Sequence, residues 1–148
     1  MEIKMFSNAA DVKAYTLAGN ATLTLTSEKT GARYTFKVSQ AKDDDGAPKE
    51  MWFVGLLVGP DNYSDYRYMG VLAGCQKMFK LTGKSKYTPD SIPVKAFEFF
   101  WNRIVEERMP PQMEIRHSGN CGRCGRKLTV PESVDSGLGP ECRAIMGL

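Results

Sequence analysis

Cys121, Cys124 and Cys142 place three of the chain's four cysteines in its last 28 residues, and the only histidine, His117, stands four positions before the first of them. A Cys-x2-Cys pair, one distant cysteine and one imidazole make four ligands, the number that a closed tetrahedral zinc site takes. A segment this short needs such a staple, because below roughly 40 residues a chain usually folds only with a metal or disulfides. Two residues between thiolates let both sulfurs reach one ion from a single tight turn. Gly122 and Gly125 are the residues that can supply positive φ there. Arg123 and Arg126 offset the negative charge of three thiolates, and Gly137-Leu138-Gly139-Pro140-Glu141 delivers the closing Cys142. Zn2+ held by His117, Cys121, Cys124 and Cys142 is therefore the expected cofactor. Glu114 and Asp135 are the alternative fourth donors to His117. Four protein ligands leave no open position for water, so the zinc is expected to be structural rather than catalytic.

Competing chemistries fit less well. Disulfides need an oxidising compartment, and nothing like a secretory signal peptide opens the chain, so reduced thiols in a cytoplasmic protein are expected. A redox Cys-x-x-Cys lacks its βαβ context. An iron–sulfur cluster prefers a fourth cysteine, and Cys75, which follows an apolar strand pattern, is expected to pack as a small buried hydrophobe. No apolar run approaches the roughly 20 residues of a membrane-spanning helix, so no membrane partner is expected.

Upstream of the cysteines the pattern is that of an ordinary globular domain: 148 residues in all, 42% hydrophobic and 25% charged. Ser7 or Asn8 caps a short helix through about Leu17. Thr22–Thr26, Arg33–Val38, Trp52–Val58 and Tyr66–Leu72 read as four strands joined by short turns, an antiparallel meander. Ser91 caps the strongest helix, with Pro93 in its first turn. Val94, Phe97, Phe100, Trp101, Ile104, Val105 and Arg108 share one face at helical spacing. Phe99 falls on the opposite face, where a lone exposed aromatic can mark a partner contact. Pro110-Pro111 ends the helix and divides the chain into an α+β domain, 1–109, and a metal-binding tail, 110–148. Gly83-Lys84-Ser85 lacks the earlier glycine of a phosphate-binding loop, since position 78 is Met78.

Several of these segments resemble small uncharacterised proteins encoded by bacteriophages and prophages. The likeness lies in Asn20–Leu25, Thr30–Thr35, Gly59-Pro60-Asp61-Asn62, Lys84-Ser85-Lys86, and Cys121-Gly122-Arg123-Cys124-Gly125-Arg126-Lys127-Leu128-Thr129 through Gly139-Pro140-Glu141-Cys142. The tail is also similar to a short zinc-ribbon-like module attached to other proteins, helicase-like ones among them. The resemblance implies a phage-derived protein in the host cytoplasm with a metal-binding end, and implies no particular activity.

Three functions follow as expectations. Nucleic acid is the first: Lys77, Lys80, Lys84 and Lys86 surround Phe79 and Tyr87, a mixture suited to phosphates and stacked bases. Arg116, Arg123, Arg126, Lys127 and Arg143 cluster around the tail. The overall excess of +3, from 20 basic against 17 acidic residues, is too small to carry this alone. The second is a host protein, contacted through Phe99, the tyrosines at 63, 66 and 68 and the acidic tip Asp43–Asp45. Enzymatic activity is the least supported: the sole histidine is assigned to the metal, no small-molecule substrate is indicated, and the His-x-Glu of a zinc deaminase is absent, Ser118-Gly119 following His117.

Overall fold

Strict alternation of threonine with Ala21, Leu23 and Leu25 builds a strand with one wet and one dry face, and the neighbouring strands follow suit. The computed structural model describes residues 4–61 and 64–148. In chain order the elements are β1 (Lys4–Met5), α1 (Ala9–Thr16), β2 (Asn20–Ser27), β3 (Arg33–Lys42), β4 (Pro48–Leu57), β5 (Tyr66–Ala73), β6 (Met78–Lys80), α2 (Ile92–Ile104), β7 (Met113–His117), α3 (Pro131–Ser136) and α4 (Pro140–Ile145). The strands form a single antiparallel sheet in the order β1-β7-β2-β3-β4-β5-β6. The α+β class and the meander, β2 to β5, are those expected. The sheet adds β6 at one edge and β7 and β1 at the other.

Register assigns the faces. Leu23 pairs with Phe36, and Phe36 with Leu56, so these point inward. Thr24 pairs with Thr35 on the outer face, where their hydroxyls meet at 2.9 Å. The inner face carries the core. Phe97 from α2 meets Phe36 at 5.0 Å and Phe79 at 5.1 Å between ring centroids. Val94, Phe97, Phe100, Trp101 and Ile104 are all buried. A 13-residue helix is marginal alone, so this apolar stripe is what holds it. Each large side chain so buried contributes about 1.5–3 kcal/mol relative to exposure. Arg108, expected on the stripe, lies beyond the helix end and is exposed, bonded to Glu106. Ser91 takes the N-cap position, but its hydroxyl accepts the Thr88 N–H instead of capping α2.

Asn8 caps α1 as expected, accepting the Asp11 N–H at 2.9 Å. The helix is tied to the sheet by Tyr15, which is buried. Its hydroxyl donates to Thr22 O at 2.9 Å and accepts the Thr22 N–H at 3.0 Å.

Two expectations fail here. A boundary at residue 110 does not match the sheet, because β7 pairs with both β1 and β2 and Ile115 is wholly buried among the core residues. Met113, Ile115 and His117 alternate inward against Glu114 and Arg116, so the first part of the tail is a sheet strand. Cys75 is exposed rather than buried, because it sits with Gly74 (φ +88°) in the turn between β5 and β6.

Tyr15→Phe removes the hydroxyl that serves both groups of Thr22. Leaving a buried N–H unpaired costs about 1–3 kcal/mol. Denaturant unfolding of the variant is expected to show a loss of that size.

Candidate metal centre

β7 hands the chain directly to the cysteines. Gly119 turns it at φ +87°, and Asn120 bridges Lys127 in a short antiparallel hairpin. Within that hairpin the Cys121 N–H donates to Arg126 O at 2.8 Å and the Gly125 N–H to Cys121 O at 2.9 Å. Gly125 has the positive φ, +80°, that such a knuckle requires. Gly122 is needed for a different reason: a Cβ there would stand 2.6 Å from a ring carbon of Tyr15. The chain then forms α3, ends it at Gly137 in the left-handed region (φ +77°), and enters α4, which carries Cys142 in its first turn.

The result brings the sulfurs of Cys121, Cys124 and Cys142 within 4.8 Å of one another. All three cysteines are free thiols, with Cys121 and Cys142 buried and Cys124 exposed. Tetrahedral coordination with metal–sulfur bonds of about 2.3 Å puts sulfurs roughly 3.8 Å apart, so sulfurs this close are compatible with one shared ion. An iron–sulfur cube would hold its thiolates farther apart.

Backbone and side-chain donors surround the sulfurs. Cys121 Sγ accepts the Gly139 N–H at 3.3 Å and the Arg123 N–H at 3.5 Å, and Arg123 Nη1 lies 3.7 Å from Cys142 Sγ. Burial opposes ionisation of Cys121, but N–H groups from Cys124, Gly139 and Arg123 outweigh it and bring the thiol from 9.0 to about 7. Burial pushes the Cys142 thiol up, with the neighbouring sulfurs adding to it and Arg123 opposing. The cluster is thus partly prepared to be a thiolate site, which is the form a metal binds.

His117 is not the fourth donor. It occupies an inward position of β7, where its ring lies between Phe6 and Tyr15 at centroid distances of 5.0 and 5.5 Å. Nδ1 accepts the Gly119 N–H at 2.9 Å, which places the proton on Nε2, and Nε2 donates to Val134 O. Strand alternation aims the ring into the core, a constraint that sequence spacing does not show. Neither Glu114 nor Asp135 joins the sulfurs among the described residues. Glu114 instead faces outward and pairs with Arg116 at 3.3 Å. A cavity of about 400 Å³ adjoins the sulfurs, lined among others by Arg123, Arg126, Lys127, Val130, Glu141 and Ile145.

The expected nucleic-acid residues divide between two ends of the sheet. Arg123 and Arg126, with Lys127, are exposed on the knuckle, which follows the end of β7. Lys77 precedes β6, the edge strand at the other end of the sheet order, Lys80 ends it, and Lys84 and Lys86 follow it. Lys77 is 3.7 Å from Glu50 and sits over the Trp52 ring. Phe79 and Tyr87 are half-buried against the core, so the stacking pair expected among these lysines is not openly exposed. Phe99 is half-buried under the Arg103 guanidinium, 3.7 Å from its ring centre, rather than openly exposed. Asp43 folds the acidic tip on itself by accepting the Asp45 and Ala47 N–H groups. Tyr63, with Asn62, lies outside the described residues.

Residues 112–147 match the model of a family of unknown function, DUF6011. The match takes in β7, the knuckle, both short helices and all three clustered cysteines. No curated protein and no solved structure matches the chain significantly.

His117→Gln should keep one bound metal per chain by elemental analysis while lowering stability by about 1–3 kcal/mol through its lost core hydrogen bonds. Cys121→Ser should lose the metal. Metal affinity, read by competition with a chromophoric chelator, should rise from about pH 6 to about pH 8. A proton must be displaced from Cys121 below about 7, and from Cys142 at still higher pH.

Proposed function

We propose that this chain is a non-enzymatic accessory protein of the phage type, acting in the host cytoplasm, whose knuckle is organised by a structural zinc ion and binds nucleic acid. Zinc is the ion that best suits three thiolates at mononuclear spacing. Cys121, Cys124 and Cys142 would hold it, and a donor from the adjoining cavity would complete the coordination. Bound zinc would supply cross-linking of the knuckle to α4. The lining of that cavity offers no buried general base, since its carboxylate, Glu141, is exposed.

The observation that carries the nucleic-acid reading is the orientation of the knuckle. Two sulfurs are buried while Arg123, Arg126 and Lys127 are exposed residues of one turn, Arg123 with one guanidinium nitrogen turned to Cys142 Sγ. Arginines so placed suit phosphate oxygens, which position a protein without reading sequence. The alternative is a protein-binding modulator of a host enzyme or defence system. It is favoured by Val130 and Ile145, 47% and 66% exposed beside the same cavity.

Fluorescence anisotropy with labelled single- and double-stranded DNA tests the first reading. Binding should weaken as salt rises. Arg123→Ala/Arg126→Ala should reduce the log–log salt slope on single strands by about 1.4, two contacts at about 0.7 each. Absent or salt-insensitive binding would remove nucleic acid as the target and leave the protein-binding reading.

A further inference from the structure

The helices cover one face of the sheet; the other carries a pattern that a merely solvated face does not need. Such a face requires polar residues only, and Thr22, Thr26, Thr35 and Ser39 supply them here. Yet Phe53, Tyr66 and Tyr68 stand together on it. Phe53 is 43% exposed and meets Tyr68 edge-on at 6.3 Å. Tyr66 reaches across β4 toward β3, where Lys37 Nζ lies 5.8 Å from its ring centre. It crosses over Gly55, at which an added Cβ would stand only 3.3 Å from Tyr66 Cβ.

Charge on this face is one-sided. Register places Arg33, Lys37, Lys80 and Arg116 outward. Among the described strand residues of this face the opposing carboxylate is Glu114, which Arg116 engages. The face also runs into the knuckle. Asn20, outward at the start of β2, donates its backbone N–H to Gly122 O at 2.7 Å, and its side-chain amide lies 3.3 Å from where a Cβ on Gly125 would be. The exposed ring of Phe53, with the half-buried rings of Tyr66 and Tyr68 beside it and cations around them, is continuous with an arginine-bearing turn, and together these match the two requirements of a single strand: π-faces for unstacked bases and positive charge along the backbone. A duplex, whose bases are already stacked, has no use for the rings.

We infer that the outer sheet face, built on Phe53, Tyr68, Tyr66 and Lys37 and continued by the knuckle rim, is a platform for single-stranded nucleic acid. The inference rests on the nucleic-acid reading above and specifies its ligand as unpaired strand. It also explains why Gly55 stands in the middle of a strand, where glycine otherwise weakens the sheet.

The test uses the full metal-loaded chain and a labelled thymidine oligonucleotide of about ten nucleotides, with a duplex of equal length as comparison. Phe53→Ala should weaken single-strand binding by at least about fivefold and Phe53→Ala/Tyr68→Ala further. Phe53→Trp should retain it, because any aromatic offers a stacking face. Duplex binding should change less in each variant, and thermal melts establish that the variants fold. Unchanged single-strand affinity in folded Phe53→Ala/Tyr68→Ala, with loss in Arg123→Ala/Arg126→Ala, overturns the platform and leaves the knuckle reading standing. Equal loss on duplex and single strand overturns the stacking role. No binding by the parent chain at low salt overturns both readings. Dimerisation in sedimentation that Phe53→Ala abolishes would put a second copy on this face and overturn the proposal.

Discussion

The ring of Tyr15 fills a space that exists only because Gly122 and Gly137 have no side chains. A Cβ at either position would come within 2.5–2.6 Å of that ring. One edge of the ring therefore presses on the knuckle, while its hydroxyl holds the start of β2. Phe6 and His117 pack against the same ring at 5.3 and 5.5 Å. The Gly122 N–H in turn donates to Gly137 O at 2.8 Å, which brings the segment bearing Cys142 alongside the segment bearing Cys121. Close packing at this point thus helps to set where the three sulfurs meet.

His117 belongs to this arrangement rather than to the coordination. A ring nitrogen that accepts a backbone N–H and another that donates to a carbonyl have their usual partners, and taking the ring to the sulfurs would break both bonds and leave a gap between Phe6 and Tyr15. Cavity formation and unpaired polar groups each cost on the order of 1–3 kcal/mol or more. The neutral imidazole does better as a core residue that bonds β7 to α3.

The parts of the fold that were legible in the sequence are those where one local rule sufficed. Thr22–Thr26 and Arg33–Val38 alternate cleanly, and Val94 through Ile104 repeats at helical spacing, so β2, β3 and α2 could be read directly. β7 also alternates, through Met113, Ile115 and His117, but the prolines before it suggested a separate tail. β1, at two residues, exists only through its pairing with β7 and leaves no pattern to read. The sulfur cluster followed from spacing, because Cys-x2-Cys is set by a single turn. Spacing alone does not place His117, because the face it occupies depends on the register of β7 against β2, a long-range contact. Phe79 and Tyr87 failed similarly: among lysines they looked exposed, whereas packing against the core draws both inward. Gly122 reads in the sequence as a backbone-conformation residue, whereas steric closeness to Tyr15, 107 positions away, is what requires it.

These contacts divide the work of holding the tail. Asn20 and Gly137 both bond the knuckle backbone at Gly122, and Leu128 N–H returns to Gly119 O, so the hairpin from 119 to 128 is tied to the sheet by backbone hydrogen bonds. α4 has fewer ties. It is six residues long, Cys142 is its buried side chain, and its large aliphatic residue Ile145 is 66% exposed. A helix that short does not persist by itself. A metal bound to all three sulfurs would therefore stabilise α4 most, by joining it to a hairpin already in place. Arg123 lies at this junction, its backbone N–H directed at Cys121 Sγ and its guanidinium at Cys142 Sγ. Ionised thiolates would hold that guanidinium more strongly than protonated ones. A metal held there would thus act on the same side chain that lies at the rim of the knuckle.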